Sequence, residues 1–124
     1  MSRVLIIDDE NDILEIITLS LETVGGFQVT ACSNAVDGIS AAQESEPDMI
    51  LLDVMMPDID GPETLKRLKA LPTLQDTPVV FMTARVQPTE KEEYLELGAV
   101  AVIEKPFDPM ALPGMVAAIY SQNK

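Results

Sequence analysis

The sequence predicts an α/β fold: five strand–helix units, (βα)5, building one parallel sheet with helices on both faces, a three-layer sandwich. Three observations carry this expectation. Short apolar runs alternate five times with longer amphipathic segments. The short runs are apolar throughout, as strands buried on both faces are. The length of 124 residues suits one core and leaves little for a second. Residues 1–124 are therefore read as one domain.

Each unit has its own signals. Val4-Leu5-Ile6-Ile7 is rich in β-branched residues and reads as the first strand. Ile13, Leu14, Ile17, Leu21 and Val24 recur at helical spacing, and Gly25-Gly26 ends that helix. Phe27 to Ala31 reads as the second strand. A helix follows from Asn34 to about Ser45, capped by Ser33 or Asn34, with Val36, Ile39 and Ala42 inward and Pro47 as its stop. Met49 to Leu52 is the third apolar run and ends in Asp53. After a loop from Met56 to Gly61, a helix starts near Pro62, carries Leu65, Leu68 and Leu71 inward, and ends before Pro72. Pro78 to Met82 is the fourth strand, ending in Thr83. Thr89 and Glu92 form a capping-box pattern for a helix that stops at Gly98. Val100 to Ile103 is the fifth strand. Asp108 is read as the cap of the last helix, with Pro109 at its first position and Pro113-Gly114 disturbing its early part.

Composition narrows the function. The net charge is −13, which disfavours direct contact with nucleic acid or anionic lipid and favours a divalent cation or a basic partner surface. The chain has no histidine, which excludes a Ser-His-Asp triad, a His-ligated zinc site and a phosphohistidine carrier. Cys32 is the one cysteine, so no intrachain disulfide forms, in keeping with a reducing cytoplasm. No signal peptide or membrane-spanning apolar run is seen, and a cytoplasmic location is expected.

The chemistry lies where strands end. In a parallel sheet the carboxyl ends share one edge, and ligands gather there. Asp8-Asp9 follows the first strand, Asp53 ends the third, Thr83 ends the fourth, and Lys105-Pro106 follows the fifth. Crowded carboxylates repel one another, and a bound cation relieves this. All-oxygen ligands favour Mg²⁺, or Mn²⁺, over zinc. Mg²⁺ uses one or two carboxylates and shares its remaining positions with water and phosphate, which leaves a carboxylate free as a nucleophile toward phosphorus. Lys105 and Thr83 are of the types that stabilise a transferred phosphoryl group.

These residues resemble the receiver domain of bacterial two-component response regulators, in the form of the single-domain chemotaxis regulator. The resemblance covers essentially the whole chain. It rests on Asp8-Asp9, the stretch Leu51 to Gly61 (LLDVMMPDIDG), Thr83-Ala84 after VVFM, and Lys105-Pro106-Phe107, in that order. It implies a flavodoxin-like sheet of order 2-1-3-4-5. It also implies Asp53 as phosphoacceptor. Mg²⁺ would be held by Asp9, Asp53 and the backbone carbonyl of Met55, with Asp8 acting through water. Thr83, Ala84 and Lys105 would contact the phosphoryl group, with Thr83 swinging toward it, and Lys105-Pro106 would be a cis peptide.

The chain departs from the family pattern at three places. Val102 stands where an aromatic residue often reports activation. Met55 and Arg85 hold the two positions that tune acyl-phosphate hydrolysis; Met55 has no side-chain group to orient water, so slow self-dephosphorylation is expected. The resemblance further implies a sensor histidine kinase or histidine phosphotransfer protein as donor, and output through the face of the fourth helix, fifth strand and fifth helix. The chain is expected to be monomeric before phosphorylation, with dimerisation through that face on activation. It would be either a stand-alone regulator or the receiver of a larger chain. It would phosphorylate and dephosphorylate only itself, so it is not expected to be an enzyme with an external substrate.

Two rival readings stand beside this one. A haloacid-dehalogenase-type phosphohydrolase needs an Asp two residues after its nucleophile, and here Asp8 is followed at that spacing by Glu10. A module that binds partners without phosphorylation would suit Val102 but not the full acidic set. Glu10 and Asp12 read as first-turn helix charges, and Asp58 and Asp60 as turn or cap residues. Lys66, Arg67 and Lys69, like Glu90, Glu92, Glu93 and Glu96, read as solvated helix faces.

Overall fold

The computed structural model describes residues 3–84 and 87–123. Five strands, β1 (Arg3–Ile7), β2 (Gln28–Cys32), β3 (Met49–Asp53), β4 (Val79–Thr83) and β5 (Ala101–Glu104), form one parallel sheet of order β2-β1-β3-β4-β5. The helices are α1 (Asn11–Leu19), α2 (Ala35–Ser45), α3 (Gly61–Lys69), α4 (Pro88–Glu96) and α5 (Leu112–Asn123). A 3₁₀ turn, Pro72–Leu74, leads from α3 toward β4. This is the sheet order and fold that the sequence predicts.

Strand alternation divides the core in two. Val4, Ile6, Met49, Leu51, Val80 and Met82 point to one face, where Leu14, Ile17 and Leu21 of the first helix and Leu112 and Val116 of α5 meet them. Leu5, Ile7, Ile50, Leu52, Val79 and Phe81 point to the other, against Ala42 of α2 and Leu65 and Leu68 of α3. The three central strands are therefore covered on both sides. β2 lies at an edge and is largely exposed.

Several local expectations are corrected. The first helix changes to a π-helical turn over Ser20–Val24, where buried Ser20 donates its hydroxyl to the Pro109 carbonyl. The wider turn shifts the helical phase, and Val24 faces solvent. In α2, Asn34 is the cap, accepting from the Asp37 N–H at 2.8 Å. Ala35, Gly38 and Ala42 are buried and Ile39 packs half-buried on the same core, as expected for Ile39 and Ala42, while Val36 is exposed. The Thr89–Glu92 capping box does not form: α4 starts at Pro88, after Gln87, with no side-chain cap. Proline suits that first position because it has no N–H to leave unpaired. Asp108 caps only a turn, through the Met110 N–H, and α5 begins at Leu112 instead of at Pro109. Pro113 also lacks an N–H, so it is accommodated only in the first helical turn.

Gly38 marks a close approach of α2 to the sheet. A Cβ there would lie 2.5 and 2.6 Å from the Ile7 side chain, just before the Asp8-Asp9 pair. Gly38→Val is expected to destabilise the protein by about 1–3 kcal/mol, measured by urea denaturation; an unchanged midpoint would contradict this packing.

Candidate functional site: a carboxylate–lysine cluster at the sheet edge

Strand register assembles the cluster. Asp53 is the last residue of β3 and pairs with Met82 of β4, one residue before Thr83. Thr83 pairs with Glu104 of β5, and the Lys105 N–H donates to the Thr83 carbonyl at 2.7 Å. The Asp8 N–H donates to the Cys32 carbonyl at 3.1 Å, carrying the β1–β2 pairing one residue past the strand. Asp8, Asp53, Thr83 and Lys105 thus reach one edge.

Oxygens of Asp8, Asp9 and Asp53 lie within 4.8 Å of one another. Asp8 is wholly buried, Asp53 is 4% exposed, and Asp9 is open to solvent. The Lys105 ammonium donates to Asp8 Oδ2 at 2.8 Å and to Asp53 Oδ1 at 3.4 Å, and lies 3.8 Å from Glu10 Oε1. Asp8 Oδ1 accepts from the Glu10 N–H at 2.9 Å, which fixes its carboxylate.

Among the described residues, the one cation paired with these acids is Lys105. Burial, and then the charge of Asp8, push the Asp53 carboxyl from 3.8 up to about 7, against the opposing pull of Lys105. Burial disfavours the Lys105 ammonium, but the hydrogen bond and charge of Asp8 and the charge of Asp53 outweigh it, so its pKa is raised. The donor set is all oxygen and partly buried, and among the described residues three carboxylates share one ammonium. It fits a hard divalent cation such as Mg²⁺.

The loop after β3 is held by backbone contacts. The Gly61 N–H donates to the Val54 carbonyl at 2.8 Å, and a Cβ on Gly61 would lie 2.7 Å from the Asp53 carbonyl oxygen. Only glycine permits this approach. Asp60 caps α3 through the Glu63 N–H at 2.9 Å. Asp58 accepts from the Ala35 and Val36 N–H groups at 3.0 and 3.3 Å and so ties the loop to the start of α2.

A cavity of about 570 Å³ opens over the cluster, lined by Asp9, Asp53, Met55, Thr83, Ala84 and Lys105 together with Glu10, Glu90 and Tyr94. The structure thus brings together the expected Asp8, Asp9, Asp53, Met55, Thr83, Ala84 and Lys105, and the Lys105-Pro106 peptide is cis. Met55 is 75% exposed, and Thr83 is buried at the strand end. Val102 is half-buried in β5. Arg85 lies outside the described residues. Sequence reasoning missed Glu10 at the rim and Glu90 and Tyr94 on the α4 wall; only the i, i+4 spacing of the last two hinted that they act as a pair. The basic cluster of α3 is largely committed elsewhere. Lys69 donates to the carbonyls of Leu74, Gln75 and Thr77, and Arg67 pairs with Glu63 at 3.2 Å.

A parallel (βα)5 sandwich with three clustered carboxylates and a lysine at its carboxyl edge has the donor set for a divalent cation and a phosphoryl group. Residues 4–117 match the family model of the response regulator receiver domain, and the chain belongs to that family. It is 38% identical over 121 residues to the uncharacterized transcriptional regulatory protein YkoG of Bacillus subtilis, covering 98% of this chain and 52% of that protein. It is 36% identical over 117 residues to the phosphate regulon transcriptional regulatory protein PhoB of Escherichia coli, covering 94% and 51%. The chain spans about half the length of these curated relatives. Its fold superposes on the chemotaxis protein CheY4 of Vibrio cholerae with a TM-score of 0.90 at 28% identity, covering 96% of this chain and 98% of that one. The chain is thus a receiver domain of the two-component response regulator type. No helix among the described residues is long and apolar enough to cross a membrane.

The raised Asp53 carboxyl sets a pH dependence. Between 3.8 and about 7 the folded chain holds a proton that the unfolded chain releases. In metal-free protein the Asp53 contribution therefore weakens the fold as pH rises through that window. Asp53→Asn is expected to gain on wild type between about pH 5 and about pH 8, by at most about 3 kcal/mol in urea denaturation. Parallel pH profiles for the two proteins would contradict the assignment.

Proposed function

We propose that Asp53 is the phosphoacceptor of this receiver. The observation that carries the reading is the convergence of the Asp8, Asp9 and Asp53 oxygens within 4.8 Å, with the Lys105 ammonium 3.4 Å from Asp53. An Asp53 carboxylate oxygen attacks phosphorus in a phosphohistidine, which a partner kinase or phosphotransfer protein must supply because this chain has no histidine. The new O–P bond forms as the N–P bond breaks, and the electron pair leaves with the imidazole. Lys105 pairs with the phosphoryl oxygens, and Thr83 with the backbone at Ala84 contacts them from the end of β4.

Asp9, Asp53 and the Met55 carbonyl would hold Mg²⁺, or Mn²⁺, with Asp8 reaching it through water. When bound, the cation offsets the charge of the carboxylates and the phosphoryl oxygens. Met55 brings no side-chain group that could orient an attacking water, and with Arg85 at the second tuning position, self-hydrolysis is slow. We place the exchange in the cytoplasm. The acyl phosphate biases a two-state equilibrium and alters partner binding through the α4–β5–α5 face, which also offers a surface for dimerisation. A net charge of −13 sets this chain against binding DNA directly.

Acetyl phosphate with Mg²⁺ is expected to add one phosphoryl group to the intact protein, read by mass spectrometry. Chelating the metal or substituting Asp53→Ala should abolish the addition. Labelling that persists in the variant would refute Asp53 as acceptor, and multiple turnover of phosphate monoesters would favour a phosphohydrolase instead.

A further inference from the structure

The oxygens assigned to the cation come from two separate segments. Asp8 and Asp9 follow β1, whereas Asp53 ends β3 and the Met55 carbonyl belongs to the loop after it. Strand pairing places Asp53 opposite Met82, and the Val54 N–H still donates to the Met82 carbonyl at 3.1 Å. Met55 lies one residue past that last bond to β4 and is largely exposed. Its position relative to Asp9 is therefore set by what holds the loop. Met56 packs half-buried on the core. Among the described residues from Met55 to Ile59, Asp58 is the one that hydrogen-bonds to another element.

That element is the start of α2, where the first four N–H groups have no acceptor within the helix. Here all four are satisfied. Ala35 and Val36 donate to Asp58 Oδ2 at 3.0 and 3.3 Å, Asp37 donates to Asn34 Oδ1 at 2.8 Å, and Gly38 donates to the Asn34 carbonyl at 3.1 Å. Half of the capping thus comes from the loop after β3, and a carboxylate there also meets the positive pole of the helix. The helix is in turn seated tightly on β1, because Gly38 leaves no room for a Cβ beside Ile7, the residue before Asp8. Contacts therefore run from the Asp8-Asp9 segment through Ile7, Gly38 and the first turn of α2 to Asp58, three residues from Met55. Pro57, with its fixed φ, takes up part of the remaining slack.

We propose that Asp58 is a positioning residue for the divalent cation: its carboxylate, bonded to the first turn of α2, holds the Met55 carbonyl in register with Asp9. The inference rests on Asp9 and the Met55 carbonyl as donors to that cation. It makes α2 the brace that joins the two halves of the donor set.

Calorimetric titration of the metal-free protein with MgCl₂ tests this on wild type, Asp58→Ala and Asp58→Asn, with the urea midpoint of each measured alongside. Asp58 is exposed, so neither substitution disturbs the core. Asp58→Ala removes both the acceptor and the charge, and is expected to raise the Kd for magnesium about 10-fold, the lower end of what losing a partner that orients a metal ligand costs. Asp58→Asn removes the charge but keeps an oxygen that can accept from Ala35 and Val36, and is expected to bind close to wild type. Magnesium affinity unchanged in Asp58→Ala, whatever its urea midpoint, overturns the positioning role and leaves the metal site intact. Equal weakening in Asp58→Asn also overturns it, because the effect would then belong to the charge and not to the bond. A wild-type chain that takes up no magnesium overturns the metal site together with the role of Asp58.

Discussion

Like charge held together by the sheet is the constraint on which the site depends. Parallel register brings Asp8 and Asp53 to the same edge as Lys105, and burial denies them the water that would otherwise screen them. Lys105 relieves part of the repulsion by reaching both acids. The remainder is stored as an Asp53 carboxyl poised near neutrality. The core maintains this unfavourable arrangement, because moving either acid would mean withdrawing a fully buried strand end such as Ile7 or Leu52 from its apolar surroundings. Among the described residues the acids outnumber the cations at this edge, which suits it to a divalent ion.

The surroundings of the cluster are fixed by small, specific contacts. Gly61 lets the loop after β3 fold back onto the Asp53 carbonyl. Asp58 fastens the same loop to α2, and Gly38 lets α2 lie against the strand that delivers Asp8. On the opposite wall, α4 has no buried residue among those described and meets the sheet through Tyr94 on Phe81. The site therefore has a firm side that positions the acids and a loose side able to respond to them. That asymmetry is what a switch requires.

The parts of the structure written in local pattern were legible in the sequence. Val4–Ile7 and Met49–Leu52 announce buried strands, and their ends announce where the acids go. The positions of Asp8, Asp53, Thr83 and Lys105 follow from strand register alone. The rest depends on partners distant in sequence. The π turn at Ser20 accompanies a bond to Pro109, eighty-nine residues away. The solvent-facing Val36 and the absent Thr89 cap reflect how α2 and α4 sit on the sheet, not their own composition. Glu90 looked like one of several solvated glutamates until the fold placed it, with Tyr94, over the acids. Asp58 was legible as a turn residue, but its role as a clamp on α2 was not, because α2 lies more than twenty residues earlier.

Calorimetric titration of the metal-free protein with MgCl₂ tests the central claim most directly. The account predicts one ion per chain, with proton release on binding near neutral pH because Asp53 gives up its proton, and binding severely weakened by Asp9→Asn. Absence of magnesium uptake, or uptake that is indifferent to Asp9 and releases no proton, would contradict it.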